Sequence, residues 1–280
     1  MEFSYLIALI PAYFFVYLPL SQKYFPDRAG GSRHDTPFTF SDSFVAREDG
    51  DAMPLSCAPQ PYDAHILSRE PLVIYIENFL SESEMEHVME VSADKFEISS
   101  VSTGNEAYVD PAVRRSEVAT LDRDAVVRCI EQRARAFQGW RDGLLLERLK
   151  IQRYGVQGHY AHHFDWTGAG TVDRVSTFMV YVHADCHGGG TEFPRLPRPS
   201  RSDWCRFIEC APAPEGDAGD EPFATSAAPQ GVTFKPMRGN AVYWENLRAD
   251  GSGFPETWHA GLPVLNGTKI GMNIWSWYQF

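Results

Sequence analysis

The chain opens on an apolar block with no alternation. From Phe3 to Leu20 the run FSYLIALIPAYFFVYLPL carries no charge. Its eighteen residues are about the lower limit for crossing a bilayer and exceed the usual apolar core of a signal peptide. No small-x-small cleavage site follows. Residues 1–22 are therefore expected to be an uncleaved membrane anchor, with a cleaved signal sequence as the alternative; Pro11 and Pro19 would interrupt a buried helix. Lys23, Arg28 and Arg33 follow the run and only Glu2 precedes it, which by the positive-inside rule points the bulk of the chain to the cytosol. Residues 23–70 are rich in Pro, Ser, Asp, Arg and Gly and read as a flexible stalk.

Regular patterning starts near Pro71. LVIYIENF is β-branched and aromatic, as a strand requires. Ser81 and Glu84 have the spacing of a capping box, which predicts a helix running to about Lys95. A second helix is predicted from about Asp124 to Gln138, because Val126, Val127, Ile130, Ala134 and Phe137 fall on one stripe. Beyond Leu144 the pattern shortens to β segments: LERLKIQRY, VSTFMVYVHA, TEFP, GVTFKP, NAVYWEN and KIGMNIWSWY. Helices followed by closely spaced strands predict one α+β, mainly β domain over 71–280, an antiparallel sandwich or barrel backed by N-terminal helices. The Pro-, Ala-, Gly- and Asp-rich stretch at 195–230 exceeds a usual strand connection and reads as an insertion loop, either functional or disordered.

Charge narrows the partners. A formal net charge of −12 argues against a protein that grips nucleic acid by its phosphates, and leaves small molecules, peptides and basic partners open. The five cysteines form no zinc-like cluster. Cys205 and Cys210 are close enough for a loop disulfide or can both stay free, and the odd count leaves at least one cysteine without an intrachain partner.

The chemistry concentrates in two places. In the first, His163 and Asp165 stand two apart, so on a strand both reach one metal ion while Phe164 points away. His159 and His162 are nearby competitors, but His162 faces away from Asp165. An HxD triplet alone is more often structural than metal-binding. About ninety residues on, His259 supplies a second imidazole. Two histidines and a carboxylate leave three positions open, which suits non-haem iron(II). Lys269 follows in an apolar strand, where an ammonium is costly to bury without an anion to neutralise it; the plainer reading is a surface lysine on an edge strand.

Residues from about 145 to 280 resemble the catalytic domain of collagen-type prolyl 4-hydroxylases. The shared motifs are Tyr154-x3-Gly158-x-Tyr160-x2-His163-x-Asp165, Arg174-x2-Thr177-x3-Tyr181 and Gly189-Gly190-Thr191-x-Phe193-Pro194. They continue with Gly239-Asn-Ala241-Val-x-Trp244-x-Asn246 and His259-x3-Pro263-Val264-x2-Gly267-x-Lys269-x5-Trp275. Arg115-Ser116 matches a further family position less decisively. The resemblance implies a double-stranded β-helix (jelly roll), with His163, Asp165 and His259 as iron ligands and Lys269 on the distal carboxylate of 2-oxoglutarate. Tyr154 and Tyr181 are candidates for the cosubstrate pocket or plain core tyrosines, and Trp244 and Trp275 read as core. Asp165 argues against halogenating relatives, which replace that carboxylate.

The activity implied is that of an Fe(II)- and 2-oxoglutarate-dependent dioxygenase, using O2 and L-ascorbate. It would hydroxylate peptidyl proline to 4-hydroxyproline and release succinate and CO2. The alternatives are the same chemistry on another peptide residue or small molecule, or a non-catalytic metal-binding jelly roll. The chain has no room for the separate peptide-binding domain of the large collagen enzymes. The family association favours the endoplasmic reticulum lumen, against the charge asymmetry after residue 20.

Overall fold

The computed structural model describes residues 40–47, 55–103, 106–139, 141–168, 172–210 and 230–280. The uncharged run at 3–20 lies outside them, and no helix among the described residues is long and apolar enough to cross a membrane. In chain order the elements are β1 (Val45–Ala46), β2 (Asp63–Arg69), β3 (Leu72–Glu77), α1 (Glu82–Ser92), β4 (Glu97–Ile98), β5 (Val101–Thr103), β6 (Glu106–Tyr108), β7 (Arg114–Arg115), β8 (Glu117–Thr120) and α2 (Ala125–Phe137). They continue with β9 (Leu145–Glu147), β10 (Lys150–Tyr154), β11 (His159–His163), β12 (Val172–Gly188), β13 (Thr191–Pro197), β14 (Gln230–Phe234), β15 (Ala241–Glu245), β16 (His259–Gly261) and β17 (Val264–Gln279).

The helices start where side chains satisfy free backbone donors. The Ser81 hydroxyl accepts from Glu84 N at 3.3 Å while the Glu84 carboxylate accepts from Ser81 N at 2.8 Å, closing the capping box of α1. Asp124 caps α2 by accepting from Val127 N at 2.9 Å. Arg133 of α2 then ties the helices together through a 2.6 Å ion pair with Glu84.

Ten strands make one antiparallel sheet, whose main path is β2-β3-β15-β12-β17-β10-β8-β4, with β1 and β9 joined beside it. Five make a second sheet in the order β14-β13-β16-β11-β7. Period-two alternation gives the larger sheet two different faces. Phe178, Val180 and Val182 of β12, Tyr243 of β15, and Met272 and Ile274 of β17 share one core with Met85 and Val88 of α1 and with Val127, Ile130 and Ala134 of α2. Their neighbours Met179, Tyr181, Val242 and Trp244 join Phe193, Val232 and Phe234 of the smaller sheet in a second core. Each fully buried side chain of this size stabilises the fold by about 1.5–3 kcal/mol.

Two expectations change. The stalk read over 23–70 does not hold for its described part. Val45 and Ala46 are buried and pair with β9, β2 lies along β3, and Cys57 is disulfide-bonded to Cys129 of α2. Polar composition there reflects a strand at the sheet edge with one exposed face. The insertion read over 195–230 is partly built as well. β13 runs on to Pro197, the Cys205–Cys210 disulfide closes a short 3-10 turn, and Phe207 and Ile208 enter the second core. Residues 211–229 lie outside the described residues. Cys186 is free.

The Cys57–Cys129 bond closes a loop of 72 residues, so replacing both by serine should lower unfolding free energy by about 2–5 kcal/mol. Urea unfolding without reductant measures this. The Cys205–Cys210 pair, five residues apart, should cost less when removed. Equal losses would show that loop length is not what makes the first bond stabilising.

Candidate active site

Directly opposed residues on antiparallel strands project to the same side. His163 of β11 faces His259 of β16, and their ring centroids are 4.3 Å apart. Asp165 follows just beyond β11. One ligand atom from each of His163, Asp165 and His259 lies within 4.8 Å of the others. His163 Nδ1 contacts Ala161 O at 2.9 Å, and His259 Nδ1 contacts Thr257 O at 2.8 Å. A carbonyl only accepts, so both protons sit on Nδ1 and both Nε2 lone pairs are free. Those Nε2 atoms face Asp165 Oδ1 and Oδ2 at 3.6 and 3.8 Å.

The electrostatics favour ligation. Burial, helped by His163, pulls the His259 imidazole down to about 4, so it is neutral at pH 7. Burial opposes ionisation of Asp165, yet His259, His163 and Arg174 outweigh it and hold the carboxyl far below its ordinary value. Two imidazoles and one carboxylate, with no thiolate, fit a ferrous ion and leave coordination positions open. The wall around them is ordered. The Arg174 guanidinium pairs with Glu147 at 2.6 Å, donates to Asp165 O at 3.2 Å and lies 4.2 Å from the Trp275 ring centre.

Lys269 stands on β17 directly opposite Tyr154 of β10. It is 1% exposed, so the edge-lysine reading is excluded. Its Nζ donates to Gly189 O at 2.6 Å and sits 4.7 Å from the Tyr154 ring centre. No carboxylate among the described residues forms an ion pair with it, and burial pulls the ammonium down to about 8. Lys269, Tyr154, Thr191 and the metal triad line one cavity together with Tyr160, Met179, Trp244 and Asn273. An anion entering here would meet a cation that has already lost its water.

Other candidates fall elsewhere. Tyr181 does not line the cavity: it is fully buried in the second core and donates to Thr191 Oγ1 at 2.8 Å, acting one layer behind. His162 points outward to Glu192, and His159 meets backbone carbonyls of Gln157 and Ala112. Beside the Arg115-Ser116 position, Arg114, not singled out from the sequence, lies 4.6 Å from the centre of the Tyr160 ring, which stacks on His163. Arg115 turns to Gln157 instead. Trp244 is core, as read from the sequence, but also walls the cavity. Thr177, Thr191 and Asn246 were missed as site residues, although each lies inside a motif already singled out.

Residues 149–277 match the family model described as the 2OG-Fe(II) oxygenase superfamily. Over that stretch the chain is similar to 2OG-Fe(II) oxygenases, and the His163, Asp165 and His259 cluster lies inside the matched residues. The chain is also similar to prolyl 4-hydroxylases. It is 27% identical to subunit alpha-2 of Caenorhabditis elegans, over 77% of this chain and 36% of that protein. It is also 27% identical to subunit alpha-1 of Homo sapiens, over 92% of this chain and 44% of that one. The chain thus spans less than half the length of these curated relatives. The viral collagen prolyl hydroxylase of Paramecium Bursaria Chlorella virus-1, solved with 2OG, covers 74% of this chain and 96% of its own. Its TM-score of 0.52 at 22% identity shows a shared fold, the jelly roll.

Only the protonated ammonium of Lys269 attracts a carboxylate, so affinity for 2-oxoglutarate should fall as pH rises through about 8. The stability of the cosubstrate-free fold moves oppositely. A folded-state value below the ordinary ~10.4 means the unfolded chain binds more protons in that window, and stability gains from this group as pH rises across it. Calorimetric titration of 2-oxoglutarate from pH 6.5 to 9.5 reads the first effect. Lys269→Ala should weaken 2-oxoglutarate at least tenfold and flatten that pH dependence, with metal affinity nearly intact; equal loss of metal would show its role is misplaced.

Proposed function

We propose that this chain is a prolyl hydroxylase, converting proline in a peptide or protein to 4-hydroxyproline as 2-oxoglutarate yields succinate and CO2. The observation that carries the reading is the buried, carboxylate-free Lys269 in the same cavity as the His163–Asp165–His259 cluster. A structural metal site has no need of a dehydrated ammonium beside it, which disfavours the non-catalytic alternative. The proline assignment draws on the prolyl 4-hydroxylase relatives.

In this reading His163 Nε2, His259 Nε2 and Asp165 hold the iron. When bound, the iron and 2-oxoglutarate supply oxidative decarboxylation coupled to hydroxylation of a carbon–hydrogen bond. The chain supplies placement. Lys269 neutralises the far carboxylate of the cosubstrate, with Tyr154 and Thr191 beside it. Phe193 stacks on the His259 ring at 5.3 Å and, with Trp244, keeps that ligand away from water. Tyr160 stacks on the His163 ring, at 3.7 Å between ring centres, and holds its orientation.

The protein is further proposed to work in an oxidising compartment, the endoplasmic reticulum lumen, attached through residues 1–22. The disulfides Cys57–Cys129 and Cys205–Cys210 support this over the cytosolic placement suggested by Lys23, Arg28 and Arg33. In sealed microsomes the C-terminal domain should resist protease until detergent is added; digestion without detergent would refute the lumenal placement.

Succinate release is the direct assay for the reaction, with Fe(II), ascorbate and 2-oxoglutarate, with and without a proline-rich peptide. Peptide-stimulated turnover, hydroxyproline by mass spectrometry, and loss in His163→Ala are expected. Turnover that needs His163 but ignores the peptide would retain the oxygenase and remove proline as its substrate.

A further inference from the structure

Behind the metal triad lies a line of buried polar side chains that the ligand assignment alone does not use. Thr177 Oγ1 donates to Asp165 Oδ2 at 2.8 Å, Asn246 Nδ2 donates to Thr177 Oγ1 at 3.0 Å, and Trp244 Nε1 donates to Asn246 Oδ1 at 2.8 Å. Thr177 and Asn246 are 0% exposed, Trp244 1% and Asp165 4%, so water cannot substitute for any member.

The direction of this line is fixed by chemistry. An indole nitrogen only donates, so the end of the Asn246 amide that meets Trp244 must be its oxygen. The amide NH2 then points to Thr177, whose oxygen must accept there. The single hydroxyl proton of Thr177 is left for Asp165 alone. A carboxylate oxygen that receives this hydrogen bond is held in place and is the weaker metal donor. Oδ1 lies 3.6 Å from His163 Nε2 and Oδ2 3.8 Å from His259 Nε2, so what distinguishes the two oxygens is the Thr177 donor, which only Oδ2 receives.

We propose that Trp244, Asn246 and Thr177 form a one-way hydrogen-bond relay that positions Asp165, fixing Oδ2 and presenting Oδ1 to the metal. This rests on the reading of His163, Asp165 and His259 as the metal site. Holding one oxygen keeps the carboxylate from closing over the ion with both, which preserves positions for cosubstrate and oxygen. Trp244 serves two ligands at once, because its ring also packs against His259 with centroids 4.9 Å apart. These three are positioning residues: none of their relay atoms is itself a metal donor.

The test is Co(II) titration of the full chain, reading affinity and the visible d–d spectrum, with unfolding of the metal-free protein measured alongside. Native protein should bind Co(II), and His259→Ala should not. Thr177→Val, matched in shape but lacking the hydroxyl, should bind about 10- to 100-fold more weakly with a shifted spectrum, while Thr177→Ser restores both. Trp244→Phe keeps a ring on His259, removes the N–H, and should move affinity and spectrum in the same direction. Native affinity and spectrum in Thr177→Val would overturn the relay, as would failure of Thr177→Ser to restore them. If Thr177→Val does not fold, native values in Trp244→Phe overturn it equally. Absence of Co(II) binding by the native protein would instead overturn the metal reading, and the relay with it.

Discussion

The pairing of β12 with β17 is the constraint on which the rest of the structure depends. It runs nearly the whole length of both strands and places the centre of the larger sheet between two cores of opposite character. One face is apolar and closed by helices. The other carries Arg174, Thr177, Tyr181, Lys269, Asn273 and Trp275, the residues that floor or support the cavity. Alternation makes this division possible without extra chain, since every second residue is committed to one face. It also makes register decisive. A slip of one residue would turn Phe178 toward the metal ligands and Thr177 into the helix-covered core.

The pairing is not uniform, and its irregularities matter. Arg174 faces Trp277 and Thr177 faces Trp275, so both point to the cavity although they are three residues apart. Simple alternation forbids that. The register shift between Arg174 and Ser176 absorbs Val175 as an extra residue and restores the phase. A second shift between Tyr181 and His183 has the same effect, so that Tyr181 lies opposite Gly271 and Ala184 opposite Lys269. The x2 spacing in the Arg174–Thr177 motif is thus the trace of a bulge.

This explains what was legible in the chain and what was not. His163 and Asp165 follow the i, i+2 rule, and Ser81 with Glu84 follows the capping-box rule, so local spacing reveals both. Lys269 was visible as an anomaly, a cation in an apolar run. Thr177 and Asn246 have no such signature. Each is an ordinary polar residue whose importance comes from a partner about seventy residues or twelve residues away, brought close only by strand order. Tyr181 shows the reverse: its place in a motif suggested contact, yet Thr191 stands between it and the cavity. The strand Asp63–Arg69 was hidden because an edge strand with an exposed face has the composition of a linker.

Charge burial ties these observations together. An isolated ion in such an interior is strongly disfavoured, and groups there neutralise or find partners. Asp165 stays ionised because the Arg174 guanidinium and the Thr177 hydroxyl lie beside it. Lys269, with a carbonyl and a tyrosine ring as neighbours, is given much less. The asymmetry is informative. A fold selected only for stability would pair or remove that ammonium, and large apolar side chains would fill the space at little cost. Keeping it leaves the site short of one negative charge at a fixed place beside the metal triad. A dicarboxylate that meets the metal with one end supplies that charge with the other. The same desolvation that makes Lys269 unfavourable in the empty protein makes its attraction for that carboxylate strong, so the cost of the site and its selectivity have one origin.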